Sequence, residues 1–167
     1  MGFADFLKSY GASVAWLVAA IGWIVGNVQA NRRERRKELR SEIEDVAKLV
    51  KDVAGETKKF YRSTPGSSEH VECVVTVQAL VREIDVRIER LKRGGLAYFS
   101  TTLRDATASA QERYFDETTG CSFGTSVRPS GANLTNVLLR QHAAGLALIE
   151  SLHAQFGREF NGRFFDN

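Results

Sequence analysis

The fold of this chain is decided by residues 39–60, which read LRSEIEDVAKLVKDVAGETKKF. A seven-residue pattern runs through this stretch, with steps of alternately four and three residues. Its members are Leu39, Ile43, Val46, Val50, Val53, Thr57 and Phe60. Such a repeat places every member on one side of an α-helix. The stretch therefore predicts an amphipathic helix whose apolar side packs against other helices.

A second amphipathic helix is predicted over about Glu69–Lys92, after a turn at Ser63–Ser68. Either Ser67 or Ser68 is the predicted N-cap, because a serine side chain accepts the first unpaired backbone N–H groups of a helix. The inward positions again follow a seven-residue repeat. They are Val74, Val77, Val81, Ile84, Ile88 and Leu91.

Two more helices are predicted, at Leu96–Glu117 and at about Gly131–Arg158, separated by a loop at Thr118–Ser130. For the first we expect a break around Thr107–Ser109 and inward residues Phe99, Leu103, Ala106, Ala110 and Tyr114. For the second we expect Ser130 as the N-cap and inward residues Leu134, Leu138, Gln141, Leu148, Leu152 and Phe156. Short connections between amphipathic helices predict an all-α antiparallel bundle of about four helices, formed by residues 32–167.

An uncharged segment of 23 residues, from Ser9 to Asn31, precedes this bundle. As a helix it would be roughly 35 Å long, which exceeds the hydrocarbon thickness of a bilayer, about 30 Å. We predict that residues 1–31 form an N-terminal transmembrane segment, which continues as one helix to about Arg62. A signal peptide cleaved after Val28-Gln29-Ala30 and a buried core helix are the alternatives.

A basic block follows the uncharged segment directly. It contains Arg32, Arg33, Arg35, Arg36, Lys37 and Arg40, with only two acidic residues among them. Basic residues remain on the cytoplasmic side of a membrane helix, so we expect an N-terminus outside and a cytoplasmic bundle at the bacterial inner membrane. Anionic lipid headgroups are the predicted partner of this juxtamembrane block.

The distribution of charge argues against nucleic acid as a partner. From Ser41 onward the chain has 16 basic and 17 acidic residues, so its positive charge is confined to the basic block. No aromatic residues lie within that block to stack on bases,. With 43% hydrophobic residues and two cysteines, the composition also excludes a disordered chain and a disulfide scaffold,.

A row of small residues lies within the uncharged segment, at Ala15, Ala19, Gly22 and Gly26. The last two form a GxxxG motif, and the four residues share one helix face. In lipid, such a face allows the backbones of two helices to approach closely. The row predicts a homo-oligomer that assembles through this helix.

The sequence shows no pattern of residues typical of a catalytic or metal-binding site. His142 and His153 lie eleven residues apart, about 16 Å along a helix, which is too far to share a metal ion. Cys73 and Cys121 are predicted to be free thiols, with Cys73 buried at a helix start. Because the common nucleophile and phosphate-loop motifs are missing, we predict a protein that is not an enzyme and uses no cofactor or metal.

The order of these features resembles a group of small bacterial single-pass, membrane-anchored helical proteins. The resemblance is carried by the uncharged segment, by the junction Asn31–Glu44 and by Leu103–Thr107 ahead of a leucine-rich last helix. Some proteins of this build resemble membrane effectors of anti-phage systems, including retrons and abortive-infection loci. The resemblance implies an effector that clusters through its membrane helix and perturbs the inner membrane. The alternative is a non-enzymatic anchor or scaffold whose bundle recruits a cytosolic partner.

Overall fold

The computed structural model describes the backbone of residues 3–94, 101–120, 123 and 129–161. Side chains are described in the same ranges, apart from residues 3–14, 94, 101–103, 159 and 161. Predictions that concern Phe99, Leu103 and Cys121 therefore lie outside the described side chains.

The described chain forms four α-helices and confirms the prediction of an all-α fold. Their bounds are α1 Phe3–Arg62, α2 Ser68–Gly94, α3 Thr101–Thr119 and α4 Ala132–Asn161. The chain divides into two compact units, Met1–Glu38 and Leu39–Asn167. The first unit consists of the N-terminal part of α1, and the second contains the remainder of α1 with α2, α3 and α4. Among the described residues, no helix combines the length and the apolar character that crossing a membrane requires.

The predicted seam of α1 is the side of this helix that is buried in the second unit. All seven residues of the repeat, from Leu39 to Phe60, have at most 9% of their surface exposed. Their aliphatic members, from Leu39 to Val53, belong to one core cluster with buried residues of the other helices, such as Ile84 of α2, Tyr114 of α3 and Leu148 of α4. A repeat of 3.5 residues keeps one face of a helix directed at its neighbours, which explains why the local pattern was sufficient.

The turn between α1 and α2 has the form that its residues favour. The N–H of Ser67 donates to the carbonyl of Thr64 at 3.1 Å, and Gly66 has a φ of 78°. Pro65 at the second position and a left-handed glycine at the third are typical of a type II turn. The Ser67 side chain then accepts the N–H of His70 at 3.1 Å, so Ser67, and not Ser68, is the N-cap of α2,.

Helices α1 and α2 run antiparallel in the second unit. Glu42 near the start of this part of α1 meets Arg87 near the end of α2, at 3.2 Å. Ser63, just after α1, meets His70 near the start of α2, at 3.3 Å. The predicted inward side of α2 is confirmed at four positions, while Val74 and Val81 are half-buried.

Helix α4 runs antiparallel to both α1 and α3. Near its start, Gln141 donates to Thr57 close to the end of α1 at 3.0 Å and to Thr118 at the end of α3 at 3.5 Å. Near its end, Gln155 donates to Thr107 close to the start of α3. Consequently α2 and α4 end, and α3 begins, where the chain enters this unit at Leu39.

Three predictions about α3 are wrong. The helix continues without a break through Thr107–Ser109, and it includes Thr118, which was assigned to the loop. Ala106 is exposed, and the neighbouring Thr107 is buried in its place. The reason is that the Thr107 and Thr118 hydroxyls accept hydrogen bonds from buried glutamines of α4, which brings their helix face inward,.

Candidate functional site

The most exposed apolar surface of the described chain lies on α1 between residues 15 and 28. Every side chain in this range is exposed, on all sides of the helix. Trp16 and Trp23 have 78% and 72% of their surface exposed. The other large apolar side chains there are Leu17, Val18, Ile21, Ile24, Val25 and Val28. Contiguous apolar surface of this extent marks a site that contacts a membrane or another protein.

The predicted row of small residues lies within this apolar segment. Ala15, Ala19, Gly22 and Gly26 are all exposed, and steps of four, three and four residues place them on one face,. A Cβ atom added at Gly22 or Gly26 would meet no atom within 4 Å. The glycines are therefore not required by packing within the described chain, and the face is open to a second helix.

The basic block follows on the same helix, with basic and acidic residues on opposite sides. Arg32 and Arg36 are four residues apart and share one side of α1. Glu34 and Glu38 are also four residues apart, but two residues from Arg36, which places them on the opposite side. Arg33, Arg35 and Lys37 are likewise exposed. The helix thus presents a predominantly cationic side next to the apolar segment.

Arg40 is the last residue of the basic block and belongs to the second unit. Its Nε atom donates to Glu44 at 3.0 Å, an exposed pair one turn apart. Exposed pairs of this kind contribute little to stability. Arg40 is therefore an exposed but paired member of the basic block.

Sequence reasoning missed a polar layer in the core of the bundle. Gln141 and Gln155 of α4 are buried, and each donates to a buried threonine. The signal in the sequence was the presence of Gln141 and Thr57 at inward positions of otherwise apolar repeats. Buried amides that are fully paired fix the register between helices, because any shift leaves them without partners.

The Tyr114 phenol lies beside this polar layer. The residue is 1% exposed, and its hydroxyl has no hydrogen-bond partner among the described residues. Burial raises the pKa of this phenol, and the Thr118 hydroxyl, which lies nearby but outside hydrogen-bond geometry, lowers it by less. Tyr114 therefore remains neutral, and its unpaired hydroxyl reduces the stability of the core.

Ser63 and His70 are the described pair that most resembles a nucleophile with its base. The Ser63 hydroxyl donates its single proton to the Phe60 carbonyl at 2.9 Å. Toward His70 Nδ1, at 3.3 Å, the same oxygen must accept,. The imidazole also stacks on the Phe60 ring, with centroids 4.6 Å apart. This arrangement fastens the turn between α1 and α2 and does not activate Ser63 as a nucleophile.

Cys73 lies one turn after His70 and is buried, as predicted. Burial is the main cause that raises the pKa of its thiol, and Glu56 adds to the rise. Because the thiolate is the reactive form, this environment disfavours nucleophilic chemistry at Cys73. His142 and His153 are both exposed on α4. No three potential metal ligands come together among the described side chains.

Comparison of the chain with protein-family models, with curated proteins and with solved structures gives no match.

Proposed function

We propose that this protein is a membrane-anchored helical effector of anti-phage defence. In this proposal, residues 9–31 of α1 insert into the bacterial inner membrane with the N-terminus outside and the bundle in the cytoplasm. Clustering of these helices then perturbs the membrane. The observation that carries the proposal is the exposed apolar segment at residues 15–28 of α1.

The free energy gained when exposed apolar side chains leave water supports a membrane as the partner of this segment. Burial of one large apolar side chain is worth about 1.5–3 kcal/mol, and eight such side chains are exposed here. The uncharged run begins at Ser9, six residues before the first described side chain at Ala15. Its whole length, as a helix of roughly 35 Å, matches a bilayer core.

The charges that follow the apolar segment support the proposed orientation. The predominantly cationic side formed by Arg32 and Arg36 lies immediately after the uncharged run. Each basic residue near an anionic leaflet contributes about 1 kcal/mol of attraction. This block would hold the junction at the cytoplasmic headgroups.

The open face around Gly22 and Gly26 supports clustering. In a bilayer, helices associate through backbone packing, and a glycine pair four residues apart permits the closest approach. The described chain places nothing against this face. A second copy of the same helix is the partner whose glycines fit it.

The experiment tests the two glycines in cells that carry a membrane-potential dye. Gly22→Leu/Gly26→Leu should abolish depolarisation and cross-linked oligomers, although the protein still sediments with membranes. The matched control, Ala20→Leu/Asn27→Leu, adds bulk to the opposite side and should depolarise like the parent. Full depolarisation by the glycine variant would contradict the proposal.

A scaffold that recruits a cytosolic partner is the second candidate function. It is favoured by an exposed apolar row on α4, where Leu139 and Leu146 are 59% and 48% exposed and seven residues apart. A scaffold needs only an anchor, so a foreign membrane helix in place of residues 9–31 should preserve its function. An effector that acts through its own helix would lose activity in the same exchange.

A further inference from the structure

The two ends of the bundle in the second unit differ in charge. The end at which the chain enters is formed by Leu39, the last turns of α2 and α4, and the first turn of α3; we name it the Leu39 end. The five terminal residues of each helix there carry six described basic side chains. These are Arg40, Arg90, Lys92, Arg93, Arg104 and Arg158. The same positions contain three acidic residues, Glu42, Asp105 and Glu159.

The opposite end has the reverse balance. The five terminal residues of each helix there contain three basic side chains, Lys58, Lys59 and Arg62. They contain four acidic side chains, Glu69, Glu72, Asp116 and Glu117. The positive charge is therefore a property of the Leu39 end and not of the bundle surface as a whole.

Four of the six basic side chains at the Leu39 end form no ion pair among the described residues. Arg90, Arg93, Arg104 and Arg158 form no ion pair with any described residue. The other two are paired: Lys92 with Glu89 at 2.6 Å and Arg40 with Glu44 at 3.0 Å. All four unpaired arginines are exposed.

Helix dipoles explain only part of this distribution. Lys92, Arg93 and Arg158 lie in the last turns of α2 and α4, where a cation stabilises the helix,. Arg104 lies in the first turn of α3, whose positive end disfavours a cation, and that turn contains no acidic residue,. The helix dipole therefore does not account for the position of Arg104.

The charges from different helices act on a common region. The hydrogen bond from Lys92 is the main cause that lowers the pKa of Glu89, and Arg93 and Arg104 lower it further. Arg104 of α3 thus lies close enough to the end of α2 to share one electrostatic field. A cluster of several cations attracts a surface with many phosphates more strongly than it attracts a single anion.

We propose that the Leu39 end is a second lipid-binding surface, which rests on the phosphate headgroups of an anionic membrane. This inference depends on the proposed membrane insertion of α1, because the chain enters the bundle at Leu39 directly after the basic block. The contacts are provided by Arg90, Arg93, Arg104 and Arg158, which are exposed and form no ion pair with a described residue. The headgroup contact would hold the bundle against the leaflet in an anionic membrane and release it in a neutral one.

The test uses the full chain bound to vesicles that contain a headgroup spin label as quencher. In a Cys73→Ala/Cys121→Ser background, a fluorophore is attached through Ala154→Cys, near the Leu39 end, or Asn136→Cys, near the opposite end. On vesicles rich in phosphatidylglycerol, quenching at position 154 should rise by about twofold over phosphatidylcholine vesicles. Quenching at position 136 should not change with lipid charge.

The charge variant Arg90→Gln/Arg93→Gln/Arg104→Gln should lose the rise at position 154 while it still sediments with the vesicles. The control Lys51→Gln/Lys58→Gln/Arg62→Gln removes the same charge elsewhere and should keep the rise. Salt at high concentration should abolish the rise in the parent, because it screens headgroup contacts.

Three outcomes would overturn the inference, and they differ from each other. A parent protein that does not sediment with vesicles of either composition refutes membrane insertion and this inference together. If the parent sediments normally but quenching at position 154 is the same on both kinds of vesicle, this inference is refuted and the proposed membrane insertion is not. Loss of oligonucleotide binding in the charge variant, with unchanged quenching, would assign the Leu39 end to nucleic acid.

Discussion

Substitution of Gly145 by alanine tests the packing of the bundle core most directly. Gly145 is buried in α4, and a Cβ atom added there would lie 2.7 Å from Val50 Cγ1 and 3.3 Å from Tyr114 Cε2. Carbon atoms pack favourably at about 3.5–4.0 Å. The Val50 methyl cannot move aside cheaply, because a β-branched side chain has one preferred rotamer in a helix.

The expected magnitude follows from two opposing effects. Alanine improves helix propensity over glycine by about 1 kcal/mol. Overpacking of a core by one methyl group costs about 1–3 kcal/mol. Gly145→Ala should therefore lower the free energy of unfolding by about 0–2 kcal/mol.

Gly55 provides the matched control within α1. It is exposed, and a Cβ atom there would meet nothing within 4 Å. Gly55→Ala should raise the free energy of unfolding by about 1 kcal/mol through propensity alone. Because propensity cancels between the two variants, their difference of about 1–3 kcal/mol measures the overpacking itself.

Thermal unfolding of the full chain in one detergent, followed by circular dichroism at 222 nm, gives the answer. Each kcal/mol shifts the midpoint by about 2–4 °C for a chain of this size. In a Val50→Ala background the contacting methyl is absent, so Gly145→Ala should become neutral or stabilising. A Gly145→Ala variant that gains as much stability as Gly55→Ala would refute the described packing of α4 against α1.

Tyr114→Phe removes the unpaired buried hydroxyl, so the free energy of unfolding should stay equal or rise by about 1 kcal/mol in urea titrations. Gln141→Leu removes the donor to Thr57 and should cost about 1–3 kcal/mol by the same measurement; a loss of less than a few tenths would argue against this hydrogen bond. The hydrogen bond from Lys92 lowers the pKa of Glu89 below its ordinary value of 4.5. The ionised Glu89 therefore stabilises the fold at pH values above 4.5, and this stabilisation is lost as the pH falls through the lower pKa of the folded state,. Glu89→Gln should therefore flatten the acid branch of the midpoint–pH curve, and an unchanged acid branch would show that this pair does not couple to folding.

The proposed membrane segment is predicted mainly from sequence. An uncharged run followed by a basic block is a pattern of composition, and it needs no tertiary contact to be recognised. The structure adds that every described side chain at residues 15–28 is exposed and that Gly22 and Gly26 face open space. Membrane insertion itself remains a prediction for the vesicle and dye experiments.

The buried face of α1 was determined by its sequence alone. Positions that recur at steps of four and three residues all lie on one side of an α-helix. Since this depends only on local helix geometry, the sequence determines which side is buried. The N-cap of α2 was narrowed to two serines by the same local reasoning. Which one accepts the N–H of His70 depended on the path of the turn at Pro65 and Gly66.

The inward face of α3 was decided only by the tertiary structure. On its own, Ala106 looks better suited to a core than Thr107, because alanine is apolar and threonine is not. The presence of Gln155 on α4 reverses this preference, since a buried amide must be paired and the Thr107 hydroxyl accepts its hydrogen bond,. Hydrogen-bond partners 48 residues apart leave no periodic trace in either helix. Apolar repeats can therefore be read from the chain, whereas the pairing of buried polar groups is settled only when the helices meet.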